Sequence, residues 1–374
     1  MTDVLIAGSG PTGLTLAIEL ALRGISVRIL DRRTGPHHES RGKGLNTSSL
    51  EVFDRLGVAE RIHARGTRGL VLRKYYDGAH INDSPSGDGV LIGQWQTEEI
   101  LRDRLADLGV RVEYGTEIVG IDQSDDGVTA RLADGRAVRA GFLAGCDGGG
   151  STTRKSLGIP FEGYTDDTQM MVIGDVTAPG LSRDRWHQWF TSDGGGVMLC
   201  PIPGTDSFQF QGSPEVDEHG EPLPPSLESF QHLFDRHAGT DGIRLAEPTW
   251  LSVWRVNVRM APRLREGRVF LAGDAAHVHP IAGGLGMNTG VLDAVALGRT
   301  LASDLTGEGG REGRRGGGGA HGEGRRDALD GYEAERLPAA AAVLADTAER
   351  YTRVIAAVRE PGRGTEAGME TAMD

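Results

Sequence analysis

Apolar residues along this chain fall into short unbroken runs, helical stripes and strict alternations, and each pattern predicts a different element. Val4 to Ala7 is an unbroken run, as expected of a strand buried on both faces. After a glycine-rich turn from Gly8 to Gly13, Leu14, Ala17, Ile18 and Ala21 recur at helical spacing until Gly24, a suitable helix terminator. Val27 to Leu30 is a second strand ending at Asp31, so the chain opens on a complete βαβ unit. Pro36 to Asn46 is polar and partly basic and reads as a loop. Leu50 to Leu56 reads as a helix, Leu70 to Tyr76 as a strand and Thr97 to Leu108 as a helix, with a Gly-, Asp- and Ser-rich stretch from Gly78 to Gly93 between the last two. Val110 to Tyr114, Glu117 to Asp122, Val128 to Leu132 and Phe142 to Gly145 predict a meander of strands, with turns such as Asp134-Gly135 between them.

The character changes between about 165 and 258. Trp186, Trp189, Phe190, Phe208, Phe210, Trp250 and Trp254 gather in short alternating segments broken by Gly and Pro, as in an antiparallel sheet. About half of these aromatics are expected to line a pocket and half to be core. Arg268 to Ala272 returns to a buried strand, and a glycine-rich loop then leads into a helix from about Thr289 to Asp304. Gly307 to Gly324 is almost entirely Gly, Arg and Glu, a composition that cannot offset its ordering entropy, and reads as a mobile linker. Leu344, Thr347, Tyr351, Val354 and Val358 then share one helical face.

The expected organisation is α/β: a Rossmann-like dinucleotide-binding domain made of 1–75, 95–165 and 260–306, with an inserted mixed or antiparallel β-sheet substrate domain of 76–94 and 166–259. The linker 307–324 and a C-terminal helical segment, 325–374, complete it. With 374 residues, 38% apolar and 25% charged, the chain can build such a core. Its net charge of -13 argues against a nucleic-acid partner, which would call for excess Lys and Arg. No segment has the roughly 20 apolar residues of a membrane span. The first residues read as a strand and not as a signal peptide. Two cysteines, Cys146 and Cys200, are too few for a disulfide framework or a zinc site and fit a reducing cytoplasm. No metal site is expected: His277 and His279 have no carboxylate or cysteine spacing to complete one.

Gly8-Ser9-Gly10-Pro11-Thr12-Gly13 fits G-x-G-x-x-G and lies between a strand and a helix, where the motif has physical meaning. Gly8 permits the tight turn, Gly10 lets a pyrophosphate approach the backbone, and Gly13 lets helix and strand pack closely. The helix N-terminus offers free N–H groups to the phosphates. Asp31, with Arg32 after it, closes the second strand about 20 residues on, where an acid binds a ribose hydroxyl and disfavours a 2'-phosphate. The motif alone leaves FAD or NAD.

Two further segments decide by resemblance. One runs Leu143-Ala144-Gly145-Cys146-Asp147-Gly148-Gly149-Gly150-Ser151 and on to Arg154. The other runs Gly267-Arg268-Val269-Phe270-Leu271-Ala272-Gly273-Asp274-Ala275-Ala276-His277 and continues through His279-Pro280 to Gly283-Gly284-Leu285-Gly286-Met287-Asn288. With the N-terminal motif, these resemble the single-component FAD-dependent aromatic hydroxylases of the para-hydroxybenzoate hydroxylase fold, closest to bacterial hydroxylases that tailor aromatic polyketides.

The resemblance implies tightly bound, non-covalent FAD, NAD(P)H as a transient reductant, and dioxygen transferred through a C4a-hydroperoxyflavin to a small aromatic or polyketide substrate. It implies cofactor contacts at Gly8 to Gly13, Asp31, Arg32, Arg41, Gln96, Asp147, Arg154, Gly273, Asp274, Pro280, Gly284, Gly286, Met287 and Asn288. Pro280, Ile281 and Gly283 are the residues expected at the flavin-side pocket floor, and no proton-transfer residue is assigned. Pro280-Ile281 departs from a frequent Pro-Pro, and Asn46-Thr47-Ser48 from Gln-Pro-Arg. Monomer and homodimer are both compatible. The alternatives of the same fold are a cyclase with structural FAD, or a Baeyer–Villiger, epoxidising or antibiotic-inactivating oxygenase.

Overall fold

The structure, a computed structural model, describes residues 1–39, 42–219, 221–239, 242–280, 284–307 and 323–359. Strand Thr2–Ala7 lies between Val27–Leu30 and Ala137–Gly145, parallel to both. Val269–Leu271 adds another parallel strand beyond Ala137–Gly145. Val4, Leu5 and Ile6 are all 0% exposed, which is why their run is unbroken: both faces of the sheet are covered. Strands Ile118–Ser124 and Gly127–Leu132 form the meander against Ala137–Gly145. One face carries helices Pro11–Leu22 and Leu285–Thr306. Their close approach needs Gly298, where a Cβ would lie 2.5 Å from Cγ of Glu19.

The second sheet has eight strands in the order His277–Val278, Ala246–Met260, Glu162–Thr177, Ser207–Gly212, Gly196–Pro201, Arg185–Phe190, Val71–Tyr76, Ala79–Pro85. All its pairings are antiparallel except Arg185–Phe190 with Val71–Tyr76. Two of these strands come from the stretch before residue 86, so the second sheet takes Val71–Tyr76 as well as the segment after it. Its core holds Trp189, Phe208 and Phe210 under helix Leu227–Ala238, which contributes Phe230 and Phe234. That helix is capped by Ser226, whose side chain accepts from Ser229 N, and ends at Gly239 with φ 57°.

Several bounds differ from those read in the sequence. The polar stretch before Asn46 holds a short strand, Lys43–Leu45, paired with Val90–Gly93 out of the glycine-rich stretch. The helix expected from Thr289 begins at Leu285, because Gly284, at φ 59°, turns the chain four residues earlier. Gly286, Met287 and Asn288 therefore occupy a first helical turn and not a loop. Helix Glu323–Arg359 packs on Leu285–Thr306, with Pro338 inside it. Thr347, on its expected apolar face, is 0% exposed, and Leu344 packs against Val256 and Val258. The linker expectation lies mostly outside the described residues. Among them, no helix is long and apolar enough to cross a membrane.

Tyr332 fastens the C-terminal helix to the first sheet: its buried hydroxyl donates to the Leu271 carbonyl at 2.7 Å. Tyr332→Phe leaves that carbonyl without its donor, and urea unfolding is expected to show a loss of about 1–3 kcal/mol.

Candidate active site

A cavity of about 1740 Å³ runs from the glycine loop of the first sheet to the inner wall of the second. Single-ligand pockets usually measure roughly 300–1,000 Å³, so this one has room for a dinucleotide and a second molecule. Gly8 to Thr12 form one end of its lining. Gly8 has φ 97°, and a Cβ there would lie 2.3 Å from the Cys146 carbonyl oxygen. A Cβ on Gly13 would lie 2.0 Å from the Gly8 carbonyl oxygen, whereas one on Gly10 would meet nothing within 4 Å. The first two glycines thus serve the protein's own packing, and the third leaves its free space to a ligand. Gly10 is also the N-cap of helix Pro11–Leu22, and its side-chain-free cap leaves the first-turn N–H groups open.

Asp31 lines the cavity and also braces the loop: its Oδ2 accepts from Ser9 N at 2.8 Å and Ser9 Oγ at 2.7 Å, and Oδ1 from Arg33 N at 2.9 Å. A carboxylate accepts about four hydrogen bonds, which leaves capacity for a ribose hydroxyl. Arg32 lines the same end. Asp147 lines it too, accepting from Ser151 Oγ at 2.5 Å and Thr153 N at 3.0 Å. Asp274, Pro280, Gly284, Gly286, Met287 and Asn288 line the middle. Asn288 clamps the short strand Lys43–Leu45, accepting from Asn46 N at 3.0 Å and donating to the Gly44 carbonyl at 3.3 Å.

Three residues expected at the cofactor do not reach the cavity. Gln96 accepts from Gly93 N at 2.9 Å and donates to the Pro203 carbonyl at 2.8 Å, so both ends of its amide serve the protein. Arg154 is 4% exposed, donates to the carbonyls of Ala275 and Gly149, and lies 3.8 Å from the Phe161 ring centroid. Gly273 supports from behind: at φ 60° it packs on Thr12, where a Cβ would lie 2.5 Å from Oγ1. Arg41, Ile281 and Gly283 lie outside the described residues.

Behind the flavin-side turn is a sealed network that the sequence did not announce. Asp293 is 0% exposed and accepts from Gly273 N at 3.0 Å, His277 Nε2 at 2.7 Å and Arg336 Nε at 2.8 Å. Burial pushes the Asp293 carboxyl up, but the charges and hydrogen bonds of His277 and Arg336 outweigh it and hold it below its ordinary range. Burial pushes His277 down, and Asp293 reverses that and raises it. His277 is thus part of the scaffold, while His279 lines the cavity, with burial lowering its pKa. No cluster among the described residues could hold a metal ion.

The far wall belongs to the second sheet. Trp186, Phe190, Trp250 and Trp254 line the cavity, while Trp189, Phe208 and Phe210 are core. Trp186 Nε1, Trp250 Nε1 and His279 Nε2 are buried without a hydrogen-bond partner. Buried polar atoms are nearly always paired, and these three leave hydrogen-bonding capacity on cavity-lining residues for a ligand to meet.

Open glycine backbone, a helix N-terminus, an acid at the strand end and a roomy lined turn fit a flavin dinucleotide. A family model described as FAD binding domain matches residues 1–314. The chain belongs to this FAD-binding family. It is 40% identical to a flavin-dependent monooxygenase of Mycobacteroides abscessus over 96% of this chain and 76% of that protein. It is 35% identical to a rifampicin monooxygenase of Streptomyces venezuelae over 93% of this chain and 70% of that one. Its fold matches an aklavinone-11 hydroxylase solved with FAD and aklavinone, with a TM-score of 0.77 and 28% identity over 98% of this chain and 70% of that one. This FAD-binding protein is accordingly an oxidoreductase of the flavin-dependent monooxygenase class.

Two outcomes follow from the geometry. Gly13→Ala is expected to force helix and strand apart and weaken FAD binding about tenfold or more. Gly10→Ala is expected to weaken FAD similarly while leaving the melting temperature of the FAD-free protein unchanged, since its Cβ meets no protein atom. Flavin titration with melting curves separates the two.

The His277–Asp293 pair sets a pH dependence. His277 has a raised value, so its stabilisation is complete below its ordinary 6.5 and fades as pH rises through the raised one. Asp293 has a lowered value, so its contribution is complete above its ordinary 3.8 and fades as pH falls through the lowered one. The stability gap between wild type and His277→Gln is expected to be larger near about pH 5.5 than at about pH 9. An equal gap in urea unfolding would show that His277 titrates alike folded and unfolded, and a gap larger near about pH 9 would show that it is neutral when folded.

Proposed function

We propose that this protein is an NAD(P)H-dependent monooxygenase that hydroxylates an aromatic or polyketide-derived small molecule. The observation that carries the reading is the continuity of one cavity from the glycine loop to an aromatic wall. When bound, FAD would supply the redox chemistry, namely hydride acceptance from NAD(P)H and activation of dioxygen for transfer of one oxygen atom to carbon.

The chain's own residues do the rest. Gly8 to Gly13 and the helix behind them hold the pyrophosphate, and Asp31 a ribose hydroxyl. Asp147 and Arg32 flank that end, and Asp274 would hold the ribityl chain. The first turn of Leu285–Thr306 presents the positive end of a helix to the cavity, where it would stabilise negative charge on a bound reduced flavin. Arg154, Gln96 and Gly273 keep these segments in place from outside the cavity. Trp186, Phe190, Trp250, Trp254 and Met171 present apolar surface that packs a flat polycyclic substrate and keeps water from the oxygen-transfer step. The cysteines Cys146 and Cys200 are both buried and free.

The test is oxidation of NADPH and NADH by the FAD-loaded protein, with and without a panel of hydroxylated polycyclic aromatics, under labelled dioxygen. The expected outcome is at least about tenfold faster oxidation with a true substrate, as binding energy is used to assemble the reactive state, and one labelled oxygen atom in the product. Bound FAD that neither nicotinamide reduces with any ligand present would instead support a cyclase with structural FAD.

A further inference from the structure

Lys43 leaves the flavin side of the cavity and reaches across to the second sheet. Its strand is held by Asn288, and its carbonyl oxygen lies 4.0 Å from where a Cβ on Gly284 would be. Its ammonium donates to Gln209 Oε1 and lies 4.5 Å from the centroid of the Trp186 ring. Among the described residues no carboxylate forms an ion pair with it. Gln209 Oε1 also accepts from Gln211 Nε2 at 3.1 Å, so the one acceptor beside Lys43 is shared. The nearby unpartnered atoms Trp186 Nε1 and Trp250 Nε1 are both donors. A buried cation costs several kcal/mol unless an anion or a good set of acceptors meets it, and here the direct acceptor is the shared Gln209 Oε1, while the Asp175 charge acts on Lys43 without an ion pair to it. No carboxylate among the described residues closes on the ammonium itself, which leaves that place beside Trp186 to a ligand oxyanion.

We propose that Lys43 takes the proton of a phenolic or enolic hydroxyl on the substrate and holds the resulting oxyanion beside Trp186. The substrate O–H bond breaks, an N–H bond forms at Nζ, and the electron pair stays on oxygen. That pair delocalises into the ring and enriches the carbons that receive the oxygen atom. Burial pushes the Lys43 ammonium below the ordinary lysine range, which favours an amine able to accept the proton; the Cys200 and Asp175 charges oppose that shift. Cys200 is itself pushed up to about 11 by burial and is a neutral thiol near neutrality. Asp175 and Lys74, both buried on the second sheet, carry interactions of their own, and His279 faces the cavity from the flavin side. The proposal rests on the monooxygenase reading for its purpose, but its chemistry is an acid–base equilibrium that needs no turnover.

The probe is alizarin, a dihydroxyanthraquinone whose colour reports ionisation of its hydroxyl. Its ionisation is titrated free and bound to FAD-loaded wild type, Lys43→Met and Lys43→Arg, with FAD content checked for each. Bound to wild type, the dye is expected to ionise at least about one pH unit lower than when free, a tenfold change in ionised fraction. Lys43→Met is expected to abolish the shift, and Lys43→Arg, which keeps the charge, to retain most of it. A wild-type protein that binds the dye in its neutral form, or does not bind it, overturns the proposal. So does a Lys43→Met protein with an unchanged shift. Failure of nicotinamide oxidation with a normal dye shift would sink the monooxygenase reading and leave Lys43 as an oxyanion site.

Discussion

A carboxylate sealed away from water, Asp293, ties the functional end of this molecule together. An ionised carboxylate is tolerated in such a place only when donors and cations surround it. Gly273 N, His277 Nε2 and Arg336 Nε supply them, each from a different part of the chain. Gly273 opens the turn that carries Asp274, His277 begins the strand that joins the second sheet, and Arg336 belongs to the C-terminal helix. Removing one donor would leave charge uncompensated, so the three parts are coupled more tightly than their apolar contacts alone would make them. The Tyr332 bond to Leu271 reinforces the same junction from one turn away.

This coupling bears on the cavity. Strand His277–Val278 pairs with Arg259 and Met260 of the second sheet, and the next described residues, His279 and Pro280, line the cavity floor. The flavin-side turn and the aromatic wall are therefore linked by backbone hydrogen bonds to a residue that Asp293 fixes. On the other side, Asn288 holds Gly44 and Asn46 and so sets where Lys43 begins. Both attachments start from helix Leu285–Thr306, which carries Asn288 in its first turn and Asp293 in its third. One helix thus positions both the turn beneath the flavin and the strand that sends Lys43 to the opposite wall.

How much of this could be read in advance depended on how far apart the interacting residues stand. The dinucleotide motif was legible because Gly8 to Gly13 stand together between one strand and one helix, although the steric partner that requires glycine at Gly8 is the remote Cys146 carbonyl. The aromatic cluster of the middle region was legible as a sheet, and its division into wall and core came out near the expected half, with Trp186, Phe190, Trp250 and Trp254 on the wall. The second sheet's use of Val71–Tyr76 was not legible, because its parallel partner, Arg185–Phe190, is remote and nothing local records the pairing. Gln96 and Arg154 were chosen by resemblance, but carbonyl groups within reach of each decide where its donors go. Asp293 looked like one more polar position on a helix, since its partners stand 16, 20 and 43 residues away.

Lys43 illustrates the same limit from the opposite direction. In sequence it sits in a polar basic stretch, where a lysine is ordinarily a solvated charge. Pairing of Lys43–Leu45 with Val90–Gly93 turns that stretch into structure, and the Asn288 clamp brings it under the second sheet. Its long stem then crosses the seam, which a shorter side chain could not do. The two walls of the cavity consequently differ in kind. The cofactor end is built from backbone N–H groups and acids that a glycine motif can encode locally. The substrate end is built from long or aromatic side chains, among which Trp186 and Trp250 have indole N–H groups without a protein acceptor. The first arrangement suits a dinucleotide that all family members share, and the second can change with a few side chains while the fold beneath it stays the same.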